Sequence, residues 1–341
     1  MTAPDQRQIV FLMYENRSGS TYLAAQLDRF DQIGVTIETE TFADLLESTH
    51  TISDEADLQN VLDTLVAEKK FQEWNIDPAA LRAALAALPR PAGFEAILRT
   101  VLDVFFDHQP LPYYLVKGTR LTHHIARLRR EVPSARYLHI LRDPRAVFGS
   151  QKSSKKSDGA IAMSDDPYDS AARWAVNATR VDNVAGPDLH EVLYEDLIRD
   201  FDATIDGINT FMQRPDLPQI RNDADDATQG DAYLAKIPED QRHLHQNLVK
   251  RPRTDRIEAW RNELSDVEIV LTQRAAGKVM QTKGYDLDRD AENRVGAVTL
   301  TLSRSRLFIA TLIRRIRNAV RYAAEGKLLW KLKAVFHRAR I

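Results

Sequence analysis

Short apolar runs alternate with helical periodicity along much of the chain. Runs with the length and strand-forming composition of buried strands lie at 9–14, 113–116, 136–141 and 191–193. Stretches with apolar residues at helical spacing lie beside them, at 22–30, 94–106, 123–131 and 171–184. This alternation predicts an α/β fold of three layers, in which helices flank a mostly parallel central sheet. Ligands of such sheets bind at the carboxyl ends of the strands.

The pattern changes between 213 and 255, where the sequence is polar and rich in proline. These breakers are Pro215, Pro218, Gly230, Pro238 and Pro252. We expect a long loop region with short helical pieces. Helical spacing returns after Thr254 and Asp255, which can cap a helix, and a second helix is predicted at 267–281 before Gly284.

Composition limits the class of protein. The chain has 341 residues and is 43% apolar, which suffices for a large α/β domain and excludes a fibrous or disordered protein. It has no cysteine, which excludes disulfides, thiolate metal sites and a thiol nucleophile. No histidine has a convincing metal-binding spacing, so we expect no metal. The N-terminus lacks the apolar segment of a signal peptide and no run is long enough to span a bilayer, so we expect a cytoplasmic protein.

The C-terminal segment differs in charge from the rest. The net charge is −2, but 301–341 contains eleven Lys and Arg residues and a single Glu. Apolar residues recur there at helical spacing with basic residues on another face, which predicts basic amphipathic helices on an anionic membrane surface. We therefore divide the chain into a domain, 1–290, and a helical tail, 291–341. The alternatives are a helix docked on the domain or on a second subunit, or one that binds acidic glycans or nucleic acid; we favour the membrane and expect no nucleic acid.

A turn of small polar residues directly follows the first apolar run. Its residues are Arg17, Ser18, Gly19, Ser20 and Thr21. Such a turn between a strand and a helix binds phosphate through backbone N–H groups, as in P-loop-like folds, and 17–21 is therefore termed the phosphate loop. The spacing and lysine of Gly-x4-Gly-Lys-Ser/Thr are absent, which argues against ATP or GTP. The alternative is an ordinary Ser/Gly turn.

A second candidate phosphate site follows the run at 136–141. Arg142 directly follows this run, Pro144 suits the first turn of a helix, and Ser150 lies two helical turns further on. A guanidinium and a hydroxyl on two sides suit a terminal phosphate, so Arg142 and Ser150 are termed the second phosphate site. The alternative is a surface ion pair of Arg142 with Asp143 and a plain helix hydroxyl.

Several segments in a fixed order carry a family resemblance. They are Arg-Ser-Gly-Ser-Thr at 17–21, Val-Lys-Gly-Thr at 116–119, Leu-Arg-Asp-Pro-Arg-Ala-Val-x-x-Ser at 141–150, Leu-Tyr-Glu-Asp-Leu at 193–197, Arg256-x3-Trp260-x3-Leu264 and Lys283-Gly284-Tyr285. In this order they resemble the sulfotransferases, especially the bacterial and Golgi-type glycan sulfotransferases. The resemblance spans most of the chain.

The resemblance implies the donor 3′-phosphoadenosine-5′-phosphosulfate (PAPS). It implies that the phosphate loop binds the 5′-phosphosulfate and that the second phosphate site binds the 3′-phosphate. It places Tyr22 and Tyr194 beside adenine, and Lys250, Arg251 and Arg253 in a loop that closes over the 3′-phosphate. Either tyrosine can instead be a core aromatic, and the basic run a solvated turn.

Two glutamates are candidates for the general base. Glycan sulfotransferases of this kind use a glutamate soon after the phosphate loop, and the segment around Glu38 resembles theirs best. Ile37 replaces their proline and one residue is inserted before Phe42, so Glu40 remains a rival. Both can instead belong to a solvated acidic turn.

Lys117 lies at the end of a predicted strand, where the family often keeps a lysine near the reacting groups. The resemblance assigns it to stabilising the leaving oxygen or orienting the acceptor, alongside Arg17; the alternative is a surface lysine. Thr119 occupies the position of the histidine base of cytosolic small-molecule sulfotransferases, which argues against a histidine base here.

The predicted function is transfer of a sulfuryl group from PAPS to a hydroxyl of a glycan, glycolipid or related alcohol by in-line displacement. The loop 151–159 can gate the site or contact an anionic acceptor. If the tail binds a membrane, we expect a lipid-linked acceptor on the inner face of that membrane. The alternatives are a nucleotide-dependent kinase with a degenerate phosphate loop and a non-catalytic, membrane-bound nucleotide-binding scaffold. The sequence identifies neither the acceptor nor the oligomeric state.

Overall fold

The computed structural model describes residues 7–48, 50–109, 111–154, 163–214, 216, 233, 254–307 and 309. Some residues singled out from the sequence lie outside these ranges: Lys250, Arg251, Arg253, most of the loop 151–159, and most of the basic tail.

A parallel sheet forms the centre of the described residues. Its strands are β1 (Gln8–Tyr14), β2 (Ile33–Val35), β3 (Tyr113–Lys117), β4 (Arg136–Leu141) and β5 (Leu189–Leu193), in the order β2-β3-β1-β4-β5. Val10 of β1 is paired with Leu115 on one side and with Arg136 on the other. The predicted mostly parallel sheet is confirmed. β2 is absent from the predicted runs because three residues carry no periodicity of their own.

Helices cover both faces of the sheet. They are α1 (Ser20–Leu27), α2 (Thr41–Glu47), α3 (Glu55–Ala67), α4 (Lys69–Gln72), α5 (Pro78–Ala86), α6 (Phe94–Phe105), α7 (Ile125–Glu131), α8 (Pro144–Ser153), α9 (Pro167–Asp182), α10 (Tyr194–Arg199), α11 (Phe201–Met212), α12 (Trp260–Glu263), α13 (Asp266–Thr282) and α14 (Arg289–Arg294). Two 3₁₀ turns, Thr119–His124 and Thr254–Arg256, join them. The helices predicted at 94–106, 171–184 and 267–281 are therefore present.

The alternation of side chains along β1 divides the core. Ile9, Phe11 and Met13 belong to a cluster with α2, α3, α5 and α6, whereas Val10 and Leu12 belong to a cluster with α1 and α11. Every residue of β1 is buried, because a central parallel strand is covered on both faces. The carboxyl ends of the strands therefore extend from a core that is packed on both faces of the sheet.

The helix predicted after Thr254 is shorter than expected. The structure has a 3₁₀ turn there, followed by the four-residue α12. Trp260 is nevertheless buried, and the guanidinium groups of Arg145 and Arg261 lie over its ring, 3.9 Å and 4.4 Å from the ring centroid. Packing of one aromatic ring, rather than a run of helical hydrogen bonds, therefore fixes this segment.

The C-terminal helices pack against the helices that flank the sheet. α13 begins with a capping box of Ser265 and Glu268 and lies against α9. Ala291 of α14 and the more distal Leu300 are buried in a cluster with α13. In the part of the chain that the structure describes, no helix is long and apolar enough to cross a bilayer.

Candidate active site

The phosphate loop joins the end of β1 to the start of α1. Gly19 has φ 93°, in the left-handed region that favours glycine, and a Cβ there would lie 2.4 Å from Cδ2 of Tyr194. Arg17 also has a positive φ, of 74°. The turn therefore depends on glycine for both its backbone conformation and its contact with the tyrosine ring.

The loop contains a polar atom with no partner. Ser18 is fully buried, and its Oγ has no hydrogen-bond partner among the residues that the structure describes. Buried hydroxyls are normally hydrogen-bonded, because burying one unpaired costs about 1–3 kcal/mol. The first N–H groups of α1 also lie at this loop, so it has the donors of an anion site.

The second phosphate site lies at the junction of β4 and α8. The Asp143 side chain accepts a hydrogen bond from the Arg145 N–H at the N-terminus of α8, and Pro144 occupies the first turn as predicted. Asp143 also forms an ion pair with the Arg145 side chain, so it does not pair with Arg142. The alternative of a surface pair between Arg142 and Asp143 is therefore wrong.

The two candidate phosphate sites are in direct contact. Nε of Arg17 donates a hydrogen bond to Oγ of Ser150 at 2.9 Å, and Nη1 of Arg142 donates to the backbone oxygen of Arg17 at 3.2 Å. β1 and β4 are neighbours in the sheet, which brings their carboxyl ends together. Both elements therefore lie side by side at the carboxyl edge of the sheet, as required if they hold two phosphates of one nucleotide, and the region formed by 17–21, Arg142, Ser150 and Tyr194 is termed the cleft.

Two guanidinium groups lie close together at this edge of the sheet. Burial and the neighbouring Arg142 guanidinium lower the pKa of Arg17. Arg142 stacks at 4.2 Å over the ring of Tyr194, and its Nε is buried with no hydrogen-bond acceptor in the described residues. Two guanidinium groups thus share a cleft that contains unpaired donors.

A hydrogen-bond network supports the second phosphate site from behind. Glu195 accepts from the backbone N–H of Asp143 and from the hydroxyl of Tyr285, each at 3.0 Å. Trp174 Nε1 donates to the carbonyl of Arg142 at 2.9 Å. These contacts explain two of the sequence segments, because Glu195 and Tyr285 come from 193–197 and 283–285. The hydrogen bonds of Glu195 and Trp174 hold the backbone at Arg142 and Asp143 in place.

Glu38 lies among basic and hydroxyl side chains beside the phosphate loop. The Tyr14 hydroxyl donates to its Oε2 at 2.7 Å, Nζ of Lys117 lies 3.7 Å from the same oxygen, and Lys70 contacts its Oε1. Burial alone would raise the pKa of Glu38, but the ammonium groups of Lys117 and Lys70 lower it to about 2. Glu38 is therefore a carboxylate at neutral pH.

Lys117 joins Glu38 to the phosphate loop. It ends β3, is almost fully buried, and its Nζ donates to Oγ1 of Thr21 at 2.7 Å. Burial lowers the pKa of Lys117 to about 8, although Glu38 opposes the shift. This geometry excludes the alternative of a surface lysine, and it places one ammonium between the candidate base and the loop.

Glu40 has different surroundings. Its carboxylate accepts hydrogen bonds from the backbone N–H groups of Thr119 at 3.0 Å and Arg120 at 2.9 Å, and also from the Thr119 hydroxyl. Burial raises the pKa of Glu40. These bonds occupy both oxygens and tie the segment after β2 to the 3₁₀ turn Thr119–His124.

The two predicted adenine-side tyrosines have different partners. Tyr194 is buried against Gly19 and Arg142, inside the cleft. Tyr22, on α1, makes an edge contact with Phe201 at 6.4 Å. Tyr194 is thus next to both candidate phosphate sites, whereas the ring contact of Tyr22 is with α11.

Lys70 is a site residue that sequence reasoning missed. It lies on α4, far along the chain from Glu38, in a segment that shows no motif. A pair of lysines on a short helix is typical of a solvated surface, so no signal in the single sequence separates Lys70 from Lys69. Only the packing of α4 beside the segment after β2 brings Lys70 to Glu38.

The surroundings of the cleft include a cavity and no cluster suited to a metal. In the described residues, no group of His, Asp and Glu side chains could hold a metal ion. A cavity of about 480 Å³ lies beside the phosphate loop, between the 3₁₀ turn Thr119–His124 and α9. Another, of about 540 Å³, is lined by Tyr168, Arg274 and Arg304 among others, and contains no residue of either phosphate site.

Solved structures of similar fold include two sulfotransferase domains. One, from the olefin synthase of Synechococcus PCC 7002, is 19% identical with a TM-score of 0.50, covering 84% of this chain and 99% of that one. The other, from the curacin biosynthetic pathway, is 17% identical with a TM-score of 0.50, covering 83% of this chain and 99% of that one. At these identities the likeness shows the fold alone. No curated protein matches the chain significantly.

A sequence profile of the sulfotransferase family matches residues 10–218. This match covers more than half of the chain, and it includes the phosphate loop, Glu38, Lys117 and the second phosphate site. The parallel sheet and its flanking helices agree with it. The chain belongs to the sulfotransferase family.

Proposed function

We propose that this sulfotransferase moves the sulfuryl group of PAPS to a hydroxyl of a glycan, glycolipid or related alcohol, with Glu38 as general base. The observation that carries the proposal is the contact between the two candidate phosphate sites. Arg17 of one donates to Ser150 of the other at 2.9 Å, at the carboxyl ends of adjacent strands. A nucleotide with two separated phosphate groups fits a cleft with two such sites.

The residues of the cleft suit this nucleotide. The hydroxyl of Ser18 and Nε of Arg142 are buried donors without partners in the described chain, and Gly19 lets the loop adopt a left-handed turn in close contact with the Tyr194 ring. The phosphate loop would hold the 5′-phosphosulfate, and Arg142 with Ser150 would hold the 3′-phosphate. PAPS supplies an activated sulfuryl group whose transfer requires no redox change.

Glu38 has the position and the charge of a base that receives a proton late in the reaction. Its pKa of about 2 is well below neutral pH, so by itself it is a weak base. The acceptor oxygen, however, becomes strongly acidic as its bond to sulfur forms, and even a weakly basic carboxylate can then take the proton. The negative charge of Glu38 also orients the acceptor hydroxyl through a hydrogen bond.

Lys117 provides positive charge on the other side of the reacting groups. Its Nζ contacts Thr21 of the phosphate loop and lies 3.7 Å from Glu38. A buried ammonium in this position stabilises negative charge that develops on the leaving phosphate oxygen. With Arg17, it keeps the leaving group next to the loop.

Ligand binding separates this proposal from a kinase with a degenerate phosphate loop. We expect the protein to bind adenosine 3′,5′-bisphosphate without Mg²⁺ and more tightly than ADP, measured by isothermal titration calorimetry. Tighter binding of ADP that requires Mg²⁺ would favour the kinase. Incubation with radiolabelled PAPS and extracts of lipid and polysaccharide then tests turnover, and nucleotide binding without any labelled product would favour a non-catalytic scaffold.

A further inference from the structure

The cavity beside the phosphate loop has the size of a small-molecule site. Its volume of about 480 Å³ is within the usual range for ligand pockets, roughly 300–1,000 Å³. Three segments line it: the residues that follow β1, the 3₁₀ turn Thr119–His124, and one face of α9. The same cavity is lined by Tyr14, whose hydroxyl donates to Glu38. Tyr14 therefore links this cavity to Glu38, although neither Glu38 nor Lys117 lines the cavity itself.

The lining of this cavity is rich in positive charge. Arg120, Arg173 and Arg180 contribute guanidinium groups, whereas Glu15 is its carboxylate. Arg173 and Arg180 lie seven residues apart on α9, two helical turns, so both face the cavity on the same side of the helix. Asn177, between them, donates to Glu15 at 2.7 Å and ties that carboxylate to α9.

The arginines differ in how far their charge is already neutralised. Arg120 pairs with Asp44 and Glu47, yet its Nε is buried without a hydrogen-bond acceptor. Arg173 pairs with Asp169 on its own helix.

Arg180 has no ion pair or side-chain hydrogen bond within the described residues, although it lines the same cavity. The cavity lining therefore contains guanidinium groups with N–H donors that have no acceptor among the described residues. Such donors suit an anionic group of a ligand, because guanidinium groups bind phosphate and carboxylate in a fork geometry.

We propose that this cavity is the acceptor site and that it recognises an acidic group of the acceptor through Arg173 and Arg180, with Arg120 at its floor. The acceptor is then an alcohol that also carries a phosphate or a carboxylate, such as a phosphorylated sugar or a uronic acid. This inference rests on the proposed function, because it takes PAPS to occupy the cleft on the other side of the phosphate loop.

The test uses the full chain saturated with adenosine 3′,5′-bisphosphate, whose binding is measured first. Glucose 6-phosphate, glucuronate and glucose are then titrated by calorimetry. We expect at least one of the two anionic probes to bind about tenfold or more tightly than glucose. Arg180→Gln and Arg173→Gln should each weaken binding of that probe about tenfold. Arg130→Gln should not, because Arg130 is exposed and, within the described residues, its side chain bonds only to the backbone of its own helix.

The outcomes separate the two proposals. If the bisphosphate does not bind, the proposed function is wrong. If it binds but neither anionic probe binds better than glucose, or if the α9 substitutions have no more effect than Arg130→Gln, the acidic-acceptor inference is wrong and the proposed function stands. Competition between an anionic probe and the bisphosphate would place that probe in the phosphate sites and would equally contradict the inference. Relative binding of glucose 6-phosphate and glucuronate distinguishes a phosphate from a carboxylate acceptor.

Discussion

Two carboxylates that lie close together in the sequence have different tasks in the fold. Glu38 contacts Tyr14, Lys70 and Lys117 and retains a partly exposed side chain, whereas both oxygens of Glu40 accept hydrogen bonds from the turn that begins at Thr119. A general base needs a free lone pair near the acceptor. The geometry therefore favours Glu38 as the base and Glu40 as a link between two segments.

Glu38→Gln and Glu40→Gln should separate these roles. We expect Glu38→Gln to lower the rate of sulfuryl transfer about 10²- to 10⁴-fold, the usual contribution of a general base, with unchanged affinity for adenosine 3′,5′-bisphosphate. Glu40→Gln should instead lower the free energy of unfolding by about 1–3 kcal/mol, because it weakens buried hydrogen bonds. Transfer assays and thermal denaturation of both variants provide the measurement. The reverse pattern would make Glu40 the base.

Lys70 should set the pH range in which Glu38 is charged. Lys70→Met removes one of the ammonium groups that lower the pKa of Glu38, so that pKa rises from about 2 by about one unit or more. The carboxylate is then lost at a higher pH, and the acid limb of the profile of kcat against pH moves upward. The stabilisation contributed by charged Glu38, present above its unfolded pKa and lost as the pH falls through its folded one, is likewise lost at higher pH.

Lys69→Met is the matched control for this experiment. Lys69 is the exposed neighbour of Lys70 on α4 and makes no contact with Glu38 in the described structure. Its substitution should leave the acid limb unchanged. Equal shifts in the two variants would show that general surface charge, rather than the Lys70 contact, controls Glu38.

At the scale of elements, the strand-loop-helix unit from β1 to α1 is built around Gly19. The Gly19→Ala change adds a Cβ in a left-handed conformation and 2.4 Å from the Tyr194 ring, which costs about 1–3 kcal/mol. Because the loop and Tyr194 both line the cleft, we expect affinity for adenosine 3′,5′-bisphosphate to fall about tenfold or more. Gly207→Ala is the control, because an added Cβ there would have no neighbour within 4 Å apart from the adjacent residues and the backbone of its own helix. Wild-type affinity in Gly19→Ala would contradict the assigned loop.

Elements with strong local patterns are predictable from this sequence, and elements fixed by tertiary packing are not. β1, β3 and β4 are apolar runs between breakers, and the phosphate loop has a local composition of its own. The pattern at 254–264 predicts a helix, but the structure has a 3₁₀ turn and a four-residue helix there, with Trp260 buried in contact with Arg145 and Arg261.

The same distinction applies within the site. Lys117 ends β3, Arg142 directly follows β4 and Arg17 lies in the loop after β1, so the order of strands accounts for their common edge. Lys70 reaches Glu38, and the α9 arginines reach the cavity beside the phosphate loop, only through the packing of helices on the sheet, which a single sequence does not reveal.

At the scale of the whole molecule, membrane binding by the basic tail remains a prediction. Its described beginning exposes Val298, Leu302 and Ile309, and most of the tail lies outside the described residues. If the tail binds an anionic bilayer, the full chain should sediment with vesicles that contain phosphatidylserine and not with pure phosphatidylcholine. Replacing Arg314, Arg317 and Arg321 by Gln should weaken this binding about a hundredfold, from about 1 kcal/mol for each charge. Equal binding to both kinds of vesicle would contradict the prediction.

The sheet order makes one cleft from two sites that are far apart in the sequence. The most direct test compares the affinities of adenosine 3′,5′-bisphosphate and adenosine 5′-monophosphate, by calorimetry, for the wild type and for a variant with Arg142→Gln and Ser150→Ala. We predict a preference for the 3′-phosphate of about a hundredfold or more in the wild type, from the charge-assisted bonds of Arg142, and loss of most of that preference in the variant. Equal affinities in the wild type, or an undiminished preference in the variant, would contradict the account.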